Sequence, residues 1–189
     1  MAKTIVLTGL LLVAACRGGK KWSHEDALAS KKVEIQVDDN GRYAEVEYHV
    51  SPDAVPAAVR EAMDKLHPGG AFTDAEKESV GRKQYWELSR KVGGLEVEAM
   101  FEPDGTLFQE EIEVPANKVP TAVQEAAKAR LSGGKITKWE EIRDEDRKLV
   151  EYHAKGTRGG FAYKLMLSTG GKVLGVVREI PPEIEVPEE

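Results

Sequence analysis

Val55-Pro56-Ala57-Ala58-Val59-Arg60-Glu61-Ala62 and Val119-Pro120-Thr121-Ala122-Val123-Gln124-Glu125-Ala126 stand 64 residues apart and share Val, Pro, Ala, Val, Glu and Ala in register. The same offset of 64 pairs Gly69-Gly70 with Gly133-Gly134, and Thr73 with Thr137. Two residues are then inserted. At an offset of 66, Gly93-Gly94 pairs with Gly159-Gly160, Gly105 with Gly171, Glu113 with Glu179, and Pro115 with Pro181. A correspondence held this far with one small insertion points to a supersecondary unit used twice, its period too long for a solenoid. An extra half unit comes first: Val33, Val37, Gly41, Glu47 and Val50 match Val97, Phe101, Gly105, Glu111 and Val114 at the offset of 64.

Each unit opens with a helical pattern. Val55, Val59, Ala62, Met63 and Leu66 recur at helical spacing, with Pro52 and Asp53 suited to the start and Gly69-Gly70 to the stop. Val119, Val123, Ala126, Ala127 and Leu131 do the same before Gly133-Gly134. The apolar stripes are narrow, so each helix should cover one face of a sheet. Alternating runs follow: Trp86 and Leu88 match Val150 and Tyr152, and Leu95, Val97, Ala99 and Phe101 match Phe161, Tyr163, Leu165 and Leu167. Phe108, Ile112 and Val114 match Leu174, Arg178 and Ile180. Asn40-Gly41, Asp104-Gly105 and Gly170-Gly171 accept the positive φ of hairpin turns. The fold class expected is α+β, with two tandem repeats, each a helix packed on a four-stranded antiparallel sheet, preceded by an extra β-hairpin.

The chain has 189 residues, 41% hydrophobic and 32% charged, enough apolar material for a real core. Its net charge is −6, with 33 acidic against 27 basic residues, which argues against a nucleic-acid binder. The one cysteine excludes an internal disulfide framework and a cysteine-based zinc site.

Residues 1–15 carry Lys3, then an apolar run from Ile5 to Val13 broken by Thr8 and Gly9, then Ala14-Ala15. This is the pattern of a secretory signal, too short to span a bilayer. Leu12-Val13-Ala14-Ala15-Cys16 resembles the lipobox of bacterial lipoproteins, which implies cleavage before Cys16 and acylation of that residue. Acyl chains anchor stably because each buried methylene contributes about 0.8 kcal/mol. The alternative is a plain secretory signal beside a chance cysteine. Arg17 follows, without the aspartate that retains such proteins at the inner membrane, so the expected location is the cell envelope, lipid-anchored at the outer membrane and facing the periplasm. Without Lys3 the remainder stands at −7, with 26 basic against 33 acidic residues. The expected organisation is a signal at 1–15, a lipidated tether with one helical turn at 16–32, a hairpin at 33–52, repeats at 53–115 and 116–182, and an acidic tail at 183–189.

A Val-Pro helix, Gly-Gly, then an antiparallel meander with an aromatic second strand and a Gly-centred last hairpin resembles the PepSY-like, β-lactamase-inhibitor-like domains of bacterial envelope proteins. The resemblance covers about Val33 to Pro181. It implies tandem helix-on-sheet units and a non-enzymatic binding or inhibitory role. The secreted β-lactamase inhibitor protein carries a disulfide in each repeat. Here Cys16 is alone, so no inhibitory loop residue is carried over.

Alternation leaves one sheet face open. In the half unit that face holds Glu34, Gln36, Tyr43, Glu45, Glu47 and His49. In the first unit it holds Tyr85, Glu87, Glu96, Glu98, Met100, Gln109, Glu111 and Glu113. In the second it is more apolar: Leu149, Glu151, His153, Ala162, Lys164, Met166, Val173, Val177 and Glu179. Carboxylates opposite one another repel by a few tenths of a kcal/mol per pair, roughly, so stability alone would not collect them. One reading is a docking face for a basic envelope partner, with Tyr85, Glu87, Glu96, Glu98, Glu111, Glu113 and Met166 as contacts. The other is that glutamates keep a tethered protein soluble, in a structural or cation-buffering role.

No catalytic motif occurs: there is no Gly-x-Ser-x-Gly elbow, Ser-x-x-Lys, P-loop or dinucleotide fingerprint. No enzyme, cofactor or dedicated metal site is expected. Asp38-Asp39-Asn40-Gly41 lacks the spacing of a calcium loop and reads as a turn. Of the four histidines, His49 and His153 share the open face with glutamates, which permits adventitious zinc binding. Trp86 is expected in the core and Trp139 partly exposed.

Overall fold

A computed structural model describes residues 23–37, 43–80 and 83–180. The expected signal at 1–15, Cys16, the turn expected at Asn40-Gly41 and the expected tail at 183–189 lie outside the described residues. The chain divides into two compact units, the boundary falling between Glu110 and Glu111.

The first unit begins with α1 (His24–Ala29), β1 (Lys32–Val37) and β2 (Tyr43–His49). A 3-10 turn at Pro52–Ala54 leads to α2 (Ala57–Leu66), then β3 (Phe72–Val80), β4 (Lys83–Val92), β5 (Leu95–Phe101) and the start of β6 (Leu107–Glu113). The second unit takes the end of β6, a 3-10 turn at Ala116–Lys118, α3 (Thr121–Arg130), β7 (Lys135–Arg143), β8 (Leu149–Arg158), β9 (Phe161–Ser168) and β10 (Val173–Arg178).

The prolines set where the helices start. A residue before proline is pushed out of the helical region, and Val55 is accordingly extended at φ −72°, ψ 137°, as is Val119 at φ −80°, ψ 134°. The segment Pro52-Asp53, expected to start the helix, therefore closes its own short turn, and α2 begins after Pro56. Val59 and Met63 of α2 are fully buried, as are Val123 and Ala127 of α3. Burial of a side chain such as Val59 or Met63 contributes about 1.5–3 kcal/mol.

Each helix lies against a hairpin turn. Gly105 has φ +88°, and a Cβ there would stand 2.7 Å from the carbonyl oxygen of Ala58. Gly171 has φ +86°, with the Ala122 carbonyl at the same 2.7 Å. The end of α2 is tied down by Arg90 of β4, whose buried guanidinium donates to the carbonyls of His67 (2.7 Å) and Gly69 (3.1 Å) and to Asp64 Oδ1 (2.6 Å). His67 Nε2 also meets the fully buried Glu110 Oε1 at 2.5 Å. α1 is capped by Ser23 and docks through Ala27 on Val46 and Tyr48, with Lys77 Nζ 2.6 Å from Asp26 Oδ1.

The expected pair of repeats, each a helix on a four-stranded sheet, is not what forms. The ten strands make one antiparallel sheet in sequence order, β1 to β10. Strands follow one another across α2, where β2 pairs with β3, and Val114 beyond β6 donates to the Trp139 carbonyl of β7 at 2.9 Å. A separate sheet for each repeat would leave more strand edges with unpaired N–H and C=O groups, and continuous pairing removes them. The tryptophan assignments also reverse: Trp139 is buried among Val123, Ala127 and Leu165, while Trp86 is only partly buried.

Candidate functional site

Strand register places the acidic residues of the first unit in ladders on one face. Glu34 pairs with Glu47, Glu47 with Glu78, and Glu78 with Tyr85. In the adjacent row Lys32 pairs with His49, His49 with Glu76, Glu76 with Glu87, and Glu87 with Met100. Glu45 and Glu98 extend the same face, opposite Val80 and Ser89. Its described basic groups other than His49 are Lys32, Lys83 and Lys91, near strand ends.

The consequences are electrostatic. Glu78 is buried, and burial followed by the charges of Glu45, Glu47 and Glu76 raises its carboxyl well above the ordinary range. Burial likewise, with Glu47, Asp74, Glu34 and Glu98 adding repulsion, pushes Glu76 up to about 9. His49 relieves part of this at one end: Nδ1 lies 2.8 Å from Asp74 Oδ2 and Nε2 lies 3.1 Å from Glu34 Oε1. Donor atoms of His49, Asp74 and Glu76, and of Glu76, Glu78 and Glu87, fall within 4.8 Å of one another, so both groups have the spacing to hold a cation.

The corresponding face of the second unit is compensated internally. Glu140 pairs with His153, and His153 with Met166; beside them Lys138 pairs with Lys155, and Lys155 with Lys164. Lys138 Nζ and Lys155 Nζ stand 2.6 and 2.9 Å from Glu140 Oε1. Burial opposes charge on His153, but Glu111 and Glu151 outweigh it and push the imidazole up to about 9. Burial also opposes ionisation of Glu111, yet His153, Lys164 and Lys155 hold its carboxyl well below the usual carboxylate range. Glu111, Glu140 and His153 form a third group with donor atoms within 4.8 Å.

The residues named from sequence are distributed unevenly. Glu87, Glu96 and Glu98 lie partly buried on the face of the first unit, and Glu111 and Glu113 belong to the second unit. Tyr85 is 3% exposed and packs on Phe108, ring centroids 4.6 Å apart, beside Val80 and Met100. Met166 is also buried, opposite His153. These two therefore line the sheet and do not protrude as anchors. Cys16 lies outside the described residues. Sequence reasoning passed over Glu76, Glu78 and Glu140. The alternation Asp74-Glu76-Glu78 and the spacing Lys138-Glu140 carried the signal.

No protein-family model matches the chain, and no curated protein matches its sequence. Solved structures do resemble it. A DUF2874 family protein from Bacteroides uniformis is 18% identical with a TM-score of 0.50, covering 65% of this chain and 88% of its own. A protein of Bacteroides eggerthii assigned to the periplasm is 18% identical with a TM-score of 0.52, covering 66% and 88%. A BLIP-like protein from Bacteroides fragilis is 21% identical with a TM-score of 0.48, covering 68% and 89%. The likeness to the first two is one of fold alone.

Proposed function

We propose that the protein is a non-catalytic envelope lipoprotein, anchored through Cys16 at the outer membrane and facing the periplasm, that binds a basic protein partner through the open face of its first unit. One observation carries the reading: Glu34, Glu45, Glu47, Glu76, Glu78, Glu87 and Glu98 share that face, and among the described residues its lysines stand only near strand ends. Two of them, Glu76 and Glu78, resist ionisation there because of burial and like-charged neighbours, and a cationic group brought against the face would relieve that repulsion. The periplasmic assignment of the Bacteroides eggerthii protein supports the location. The test is capture from envelope extract, with a lysine-rich peptide as a defined probe. Glu87→Lys with Glu98→Lys should abolish both, and rising salt should weaken both. Undiminished capture by the double variant sinks the idea.

A second reading is cation buffering by the same carboxylates without a protein partner, favoured by the spacing of Glu76, Glu78 and Glu87. It requires that calcium raise the melting temperature, and a flat response removes it.

A further inference from the structure

We propose that Glu111, Glu140 and His153 form a binding site for a divalent transition metal of zinc's kind, with Glu151 as the outer carboxylate that orients the histidine. The three side chains come from successive strands β6, β7 and β8 of the second unit, and one donor atom of each lies within 4.8 Å of the others. Spacing alone would not make this a site. Two further features do.

The first is the histidine. Its side chain is 6% exposed, and Nε2 is engaged by Glu151 Oε1 at 2.8 Å, an oxygen on a carboxylate that is itself 2% exposed. A ring nitrogen held this way fixes the imidazole so that the other nitrogen faces the ligand, the arrangement in which metal-bound histidines are found. Nδ1 makes no hydrogen bond among the described residues although it is buried. Glu111 Oε2 stands 3.7 Å from it, beyond hydrogen-bond length. Two donors that each sit about 2.1 Å from one metal ion lie about 3–4 Å apart, so that separation suits a shared ion.

The second feature is Glu140, which is 1% exposed, with neither carboxylate oxygen in a hydrogen bond of ordinary geometry. Lys138 and Lys155 approach Oε1 as ion pairs only. Their ammonium groups stand where a cation's charge is wanted. Lys155 keeps 34% of its side chain exposed, so its head can swing to solvent when an ion takes its place. One imidazole and two carboxylates is a donor set for zinc-like ions, whereas calcium and magnesium prefer oxygen alone.

Isothermal titration of Zn2+ into the chelator-treated full chain tests this, with Co2+ and its visible absorption as a second probe. One equivalent is expected to bind. His153→Ala and Glu140→Gln should each weaken Zn2+ by on the order of 100-fold and abolish the Co2+ band, and Glu151→Gln should weaken it by about tenfold. Lys155→Met should bind Zn2+ roughly threefold to tenfold more tightly, because a competing charge is gone. Circular dichroism controls for folding. If His153→Ala does not fold, Glu140→Gln and Glu151→Gln give the same readout. Glu76→Gln, in the first unit, should leave this equivalent unchanged. Binding that survives both His153→Ala and Glu140→Gln, or no binding by the parent chain, overturns the proposal.

Discussion

Glu76→Gln should make the protein more stable, and increasingly so as pH rises. Burial and four neighbouring carboxylates push Glu76 from its ordinary 4.5 up to about 9 in the folded chain. Between those values the folded protein holds a proton that the unfolded chain has released. Stability therefore falls as pH rises, by about 1.4 kcal/mol per pH unit for the one group. The contribution is fully present below the unfolded value of 4.5 and is lost progressively toward about 9. At about pH 7.5 the penalty has reached up to about 4 kcal/mol. Glutamine has nearly the same shape and no proton to take up, so it removes the penalty. Urea denaturation in EDTA at about pH 5, 6.5 and 8 measures it: the curves should coincide near pH 5 and diverge above, the parent falling faster. Glu78, raised for the same reasons, keeps a slope of the same sign in the variant. Parallel pH slopes for parent and variant would refute the assignment of repulsion to this face.

Sodium chloride should stabilise the parent protein more above about pH 9, where Glu76 ionises among its neighbouring carboxylates, than near pH 5, where it is protonated; a thermal melt with and without salt checks it. Gly105→Ala and Gly171→Ala should each cost about 1–3 kcal/mol by denaturant titration, because each adds a Cβ at positive φ against a helix carbonyl. Arg90→Met should cost about 2–4 kcal/mol, since the His67 and Gly69 carbonyls lose a charged donor; a melting temperature equal to the parent's would show that water replaces it without loss.

The parts of the fold that local pattern dictates were legible. Val59 with Met63 and Val123 with Ala127 declare two helix stripes, and Asp104-Gly105 declares a hairpin. Pairing across the helices was not legible. Nothing in the alternation of β6 says whether its outer edge meets solvent or β7, because the same residues satisfy either arrangement until backbone edges are counted. Trp139 was misjudged for a related reason. Its neighbour in sequence, Glu140, is the residue that faces away from α3, and the parity of a strand cannot be read when both positions carry a side chain able to be buried.

The open face was legible in sign but not in depth. A row of glutamates reads as a solvated surface, yet Glu78 and Glu140 are nearly inaccessible, so what distinguishes the two units is how each buried charge is met. In the second unit Lys138, Lys155 and Lys164 run beside Glu140 and Glu111, and the face is close to neutral within itself. In the first unit the corresponding rows carry Glu47 against Glu78 and Glu76 against Glu87, and the compensation is protonation. At neutral pH those protons stay bound, and a lysine or arginine from outside would have to displace them by relieving the same repulsion. On the readings proposed above, an external basic partner would fall to the first unit, and a smaller, more strongly binding cation to the second, whose lysines are already in place.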